Sequence, residues 1–89
     1  MNDLAKIRNK IDTFDNEIIK FLIKRMELAL LTPEYKEATE DAEREEQIRK
    51  KIGEIVRTEE DRIFISKLYD MIFEESKSRQ KLKSDKQIR

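Results

Sequence analysis

Starting at Leu4, apolar residues recur three and four positions apart: Leu4, Ile7, Ile11, Phe14, Ile18, Phe21 and Leu28. That spacing lays them along one stripe of an α-helix and matches a heptad seam. Asn2 or Asp3 is suited to cap the helix, which continues through Leu31. Thr32-Pro33-Glu34 can be read in two ways. It is either a fresh start with Thr at the N-cap and Pro at the first helical position, or a kink that loses the bond from residue 33 to the Ala29 carbonyl. The expectation is a kinked or restarted but roughly collinear helix reaching Lys36 or Glu37. At about 1.5 Å per residue it would be roughly 50 Å long.

Glu37-Ala38-Thr39-Glu40 is a polar connector, and Asp41 is placed as the N-cap of a second helix, with Glu43 complementing its dipole. This helix carries Ile48, Ile52, Ile55 and Val56, and Gly53 costs it about 1 kcal/mol relative to Ala. Thr58 followed three residues later by Asp61 marks a capped third start. The third helix is expected to bury Ile65, Leu68, Tyr69, Ile72 and Phe73, after which its stripe turns polar at Ser76 and Gln80. Residues 81–89 read as a fraying polar tail. The start and stop signals give helices of about 35, 16 and 23 residues. The two shorter ones cannot cover the seam of the long one. The expected architecture is therefore all-α: a single domain over residues 1–89, with long, short and medium helices in an intertwined homodimeric bundle.

Composition narrows the chemistry. Charged residues are 45% of the chain, but 20 basic and 20 acidic side chains cancel, which disfavours nonspecific nucleic-acid or membrane binding. Cys and His are both absent, which removes thiol chemistry, the usual zinc and haem ligands and the commonest general base. No metal or cofactor is expected. One Gly and one Pro in 89 residues argue for long helices over hairpins. Neither a signal-type apolar run nor a stretch of about 20 apolar residues is evident, so a cytoplasmic location is the expectation.

Several polar residues interrupt the apolar stripes. The heptad calls for an apolar residue at position 25, where Arg25 stands. A guanidinium in such a seam is costly unless it meets an anion. Lys36 falls within about 20° of Arg25 around a continuing helix. Arg44 and Glu45 open the second helix, and Ser76 and Gln80 share a face of the third. Arg8 lies 17 residues before Arg25, roughly 25 Å away along the helix. It is out of reach within one subunit, though within reach of a partner's site if two long helices pair antiparallel.

The order and spacing of these residues resemble the small all-helical chorismate mutases that form intertwined homodimers. The resemblance is carried by Ile7-Arg8-Asn9-Lys10-Ile11-Asp12 ending at Asp15, by Lys24-Arg25-Met26-Glu27-Leu28-Ala29 with Lys36 eleven residues after Arg25, by Asp41-Ala42-Glu43-Arg44-Glu45, and by Ile72-Phe73-Glu74-Glu75-Ser76 with Gln80. It covers nearly the whole chain. It implies that Arg8 from the partner subunit, Arg25 and Arg44 surround the dicarboxylate chorismate. Lys36 and Gln80 donate to the ether oxygen of the breaking bond. Glu45 accepts from the substrate hydroxyl near the Asp41 backbone, and Ser76 helps hold a carboxylate. The implied reaction, chorismate to prephenate in aromatic amino-acid biosynthesis, is a unimolecular rearrangement. It runs on conformational restraint and placed cations, without nucleophile, base or metal. The chain departs from the family pattern at Pro33, in a short connector before Asp41, and at Thr32 and Lys77, polar where apolar lining is expected. Lys77 either enters the pocket or points to solvent.

Two other readings compete. One is isochorismate pyruvate lyase activity on the same fold. The other is a non-catalytic helical dimerisation module, whose cations would be satisfied by acids of the same chain.

Overall fold

The computed structural model of the chain describes residues 2–31 and 39–87, the side chains of 39–41 and 84–87 excepted. Thr32, Pro33 and Lys36, and with them the expected course of the first helix past Leu31, lie outside the described residues. Three helices and no strand are present among those described: α1 Asp3–Ala29, α2 Thr39–Ile55 and α3 Glu59–Gln87.

The caps explain most of the boundaries. Asn2 has extended backbone (φ −78°, ψ 154°), and its side-chain oxygen accepts from the Ala5 N–H at 2.8 Å, which makes it the cap of α1. The α-ladder stops at Ala29, short of the expected Leu31, and the chain closes with a tighter bond from Leu31 N–H to the Leu28 carbonyl at 3.0 Å. The sequence supplies the reason. Residue 33 is proline, so the Ala29 carbonyl has no backbone donor four residues on, and the residue before a proline is steered away from helix. Helix α2 starts at Thr39, which puts Asp41 inside the first turn, a correction to its expected place as N-cap. Thr58 Oγ1 accepts from Asp61 N–H at 3.1 Å and caps α3, whose first turn holds Glu59, Glu60 and Asp61. Helix α3 extends to Gln87, past Lys81, where the polar tail begins.

Helices α2 and α3 form an antiparallel hairpin. Ile48, Ile52 and Phe73 are its buried core, with Val56, Ile65 and Tyr69 packed against them. Flanking ion pairs record the direction, Arg49 with Asp70 and Glu45 with Lys77, each at 2.6 Å. At the turn, Arg62 Nε donates to the Val56 carbonyl at 2.9 Å. Leu68, at 40% exposed, does not join the core expected of it, and Ile55 is 67% exposed. They point off the Ile48–Ile52–Val56 face. Helix α1 runs parallel to α3 and touches it only near its C-terminal end, where residues 25, 29 and 30 meet residues 76, 80 and 83.

The rest of α1 has no cover. Leu4, Ile7, Ile11, Phe14, Ile18 and Phe21 are all at least half exposed, Phe14 at 70%. The chain is accordingly elongated, 59 × 29 × 16 Å, with a radius of gyration of 16.9 Å. A compact chain of this length would have about 12 Å. Its accessible surface is 7891 Å², against roughly 5,500 Å² for a compact monomer of this mass. No helix of the described residues is long and apolar enough to cross a membrane.

Candidate active site

Arg25 sits in the penultimate turn of α1, where α3 begins to cover it. Its Nη1 donates to Ser76 Oγ at 3.3 Å. The guanidinium carbon stands 5.8 Å from the ring centroids of both Tyr69 and Phe73. Those rings are 5.7 Å apart and tilted by 56°, so they form two walls rather than a stack. Arg49, held by Asp70, lies 5.3 Å from the centroid of Phe73. Ser76 is 7% exposed, and its hydroxyl donates in turn to Met26 Sδ at 3.4 Å. The hydroxyl is therefore satisfied as both acceptor and donor.

Among the described residues no acid pairs with Arg25: it makes one hydrogen bond and two ring contacts, and no carboxylate lies within ion-pair reach. A guanidinium has five N–H donors and does not lose its proton. Aromatic faces stabilise a partly desolvated cation without neutralising it. The group is thus oriented, half-buried and still able to take an anion.

One turn further along both helices, Gln80 Nε2 donates to the Ala29 carbonyl at 2.8 Å. Lys83 Nζ donates to the Leu30 carbonyl at 2.7 Å. The last carbonyls of a helix have no partner within it, and a cation near that end also complements the dipole. Gln80 and Lys83 do this for α1. Arg25–Ser76 and Ala29–Gln80 are successive rungs of one α1–α3 contact.

The remaining expected site residues are more dispersed. Glu45 faces α3, where Lys77 Nζ meets its Oε2 at 2.6 Å. Lys77 therefore neither enters a pocket unpaired nor simply points to solvent. Arg44 is exposed, and its Nη1 donates to Gln47 Oε1 at 3.3 Å on its own helix. Arg8 is exposed on the uncovered part of α1, far from Arg25. Asp41 has a described backbone only, and Lys36 lies outside the described residues. The fold thus gathers Arg25, Ser76 and Gln80 at one contact, sets Glu45 and Lys77 between α2 and α3, and leaves Arg44 and Arg8 outside this cluster in the single chain.

Tyr69 and Phe73, core residues by their spacing, also stand as walls beside Arg25. The signal was present: residues 69, 73, 76 and 80 fall four, three and four apart, one helical stripe that changes from aromatic to polar. Lys83 as a cap on α1 had no such signal.

The described residues form an all-helical scaffold with a long uncovered apolar seam, and Arg25 stands between two aromatic rings with no carboxylate partner among them. The description of the chorismate mutase type II family matches residues 7–81, from just before Arg8 to just past Gln80, and the chain belongs to that family. No curated protein and no solved structure matches it.

Proposed function

We propose that the chain is an active chorismate mutase, converting chorismate to prephenate as a step of aromatic amino-acid biosynthesis in the cytoplasm. The observation that carries this reading is Arg25, half-buried, oriented by Ser76, Tyr69 and Phe73, and without a carboxylate partner among the described residues. Such a group is suited to hold a substrate carboxylate. In the rearrangement the ether C–O bond breaks as a new C–C bond forms, with no group gained or lost. The protein's part is to select the folded conformer and to place positive charge where the ether oxygen becomes negative. Arg25 and Arg44 bind carboxylates, Lys36 and Gln80 donate to the ether oxygen, and Glu45 accepts from the ring hydroxyl near Asp41. Ser76 supports the carboxylate site.

The working unit in this proposal is a homodimer. The exposed seam from Leu4 to Phe21 and the elongated shape both support a second copy packed along α1. Pairing the long helices antiparallel brings Arg8 of the partner subunit to the site. The test is spectrophotometric: purified protein should abolish the diene absorbance of chorismate and yield prephenate. Release of pyruvate from isochorismate without chorismate turnover would make it a lyase. Inactivity on both would leave a dimerisation module.

A further inference from the structure

Ser76 and the residue after it turn to different helices. Ser76 meets Arg25 on α1, whereas Lys77 Nζ lies 2.6 Å from Glu45 Oε2 on α2. The Glu45 side chain is 21% exposed and that of Lys77 is 53%, so the acid is the inner member of the pair and the ammonium is the outer. Among the described residues Lys77 is the one partner of Glu45. Among the same residues no partner meets its Oε1.

We propose that Lys77 is a positioning and charge-setting residue for substrate binding: it holds Glu45 by Oε2, leaves Oε1 for the substrate hydroxyl, and offsets the negative charge of Glu45 in a site that receives a dianion. This inference rests on the chorismate mutase reading. The physical case begins with what Glu45 would do alone. A bare carboxylate beside an incoming dicarboxylate repels it. Two unit charges about 6 Å apart at an effective dielectric of about 40 change affinity roughly tenfold. Solvent screening at an exposed lysine reduces that to about fivefold. The two carboxylates keep their charge through the rearrangement, and Glu45 is proposed to face the ring hydroxyl rather than the ether oxygen that gains charge, so the effect is nearly the same in substrate and transition state. Uniform binding of that kind moves KM and leaves kcat alone.

Steady-state kinetics with chorismate on the full chain tests the proposal. Lys77→Met and Lys77→Gln should each raise KM about fivefold and keep kcat within about twofold, and Lys77→Arg should restore KM. The gap between Lys77→Met and wild type should narrow in concentrated salt. Adding Glu45→Gln to Lys77→Met should remove the extra salt dependence of KM that Lys77→Met brings, because the charge that Lys77 offsets is gone. A merely structural lysine would instead show loss of melting temperature together with loss of kcat. The proposal is overturned if KM is unchanged or falls in both Lys77→Met and Lys77→Gln. It is also overturned if kcat falls while KM holds. Should Lys77→Met fail to fold, Lys77→Gln against Lys77→Arg makes the same comparison. A wild-type chain that does not turn over chorismate refutes the functional reading itself. An active wild type with indifferent Lys77 variants refutes only the role of Lys77.

Discussion

The Gln80 amide donates to the Ala29 carbonyl across 2.8 Å, joining α3 to the last residue of α1. Residue 33, whose N–H would take that carbonyl in a continuing helix, is proline. A side chain 51 positions away along the sequence thus does what the local backbone cannot. Gln80 has a structural duty in addition to its proposed catalytic one, and Lys83 at the Leu30 carbonyl shares the first.

That pairing gives the first prediction. Gln80→Leu should destabilise the fold by about 1 kcal/mol, by removing one hydrogen bond to a partly buried carbonyl. It should also cut chorismate turnover well beyond what that loss of stability explains. Lys83→Met should show the stability loss with little change in turnover. Denaturant melts and steady-state rates on the same samples separate the two. Equal kinetic damage from both variants would mean that Gln80 acts only as a cap.

Arg25 should show stability and activity moving apart. It is a half-buried cation without an acid among the described residues, standing in an apolar seam. Arg25→Met keeps apolar contact with Tyr69 and Phe73 and removes a desolvated charge, so stability should hold or rise by up to about 1 kcal/mol. Activity should fall on the order of 10²–10³-fold. Arg25→Lys should not rescue fully, since a point ammonium cannot grip a carboxylate through two parallel bonds. A large loss of stability in Arg25→Met would show that the guanidinium is there to hold the helices together.

The shared-site dimer makes a sharper demand. Arg8→Ala and Arg25→Ala should each be nearly inactive, one failing the partner's pocket and the other its own. Unfolded together and refolded, half the dimers should be mixed, each with one doubly damaged site and one intact. Activity should return to roughly a quarter of wild type. No recovery, with mixed dimers shown to form, would remove Arg8 from the site. Phe14→Glu places a charge in the middle of the exposed seam and should lower the sedimenting mass toward that of one chain.

Gly53 offers a control remote from the chemistry. It lies inside α2, and a Cβ added there would meet nothing within 4 Å. Gly53→Ala should therefore raise stability by about 0.5–1 kcal/mol through helix propensity and a less free unfolded chain. Turnover should be unchanged. A lowered melting temperature would place a neighbouring surface, such as that of a second copy, against this residue.

The sequence by itself determined the three helices and much of their capping. Hydrophobic period and side-chain caps act over three or four residues, so Asn2, Thr58 and the stripe from Tyr69 to Gln80 carry their meaning wherever the helices later pack. The uncovered seam of α1 was equally legible, because covering area depends on helix length and on how many helices there are. Only the tertiary structure decided what the long polar side chains do. Arg25 takes aromatic walls and a serine rather than a glutamate, Lys77 crosses to Glu45, and Gln80 and Lys83 close the end of α1. A lysine, arginine or glutamine can reach several partners from one backbone position. Which it takes depends on the helix that lies opposite, and periodicity within a single helix does not encode that. The end of α1 at Ala29 and the start of α2 before Asp41 fall between these cases. Pro33 takes away the backbone donor for the Ala29 carbonyl, which the chain shows directly, whereas the side chains that take the Ala29 and Leu30 carbonyls instead come from α3.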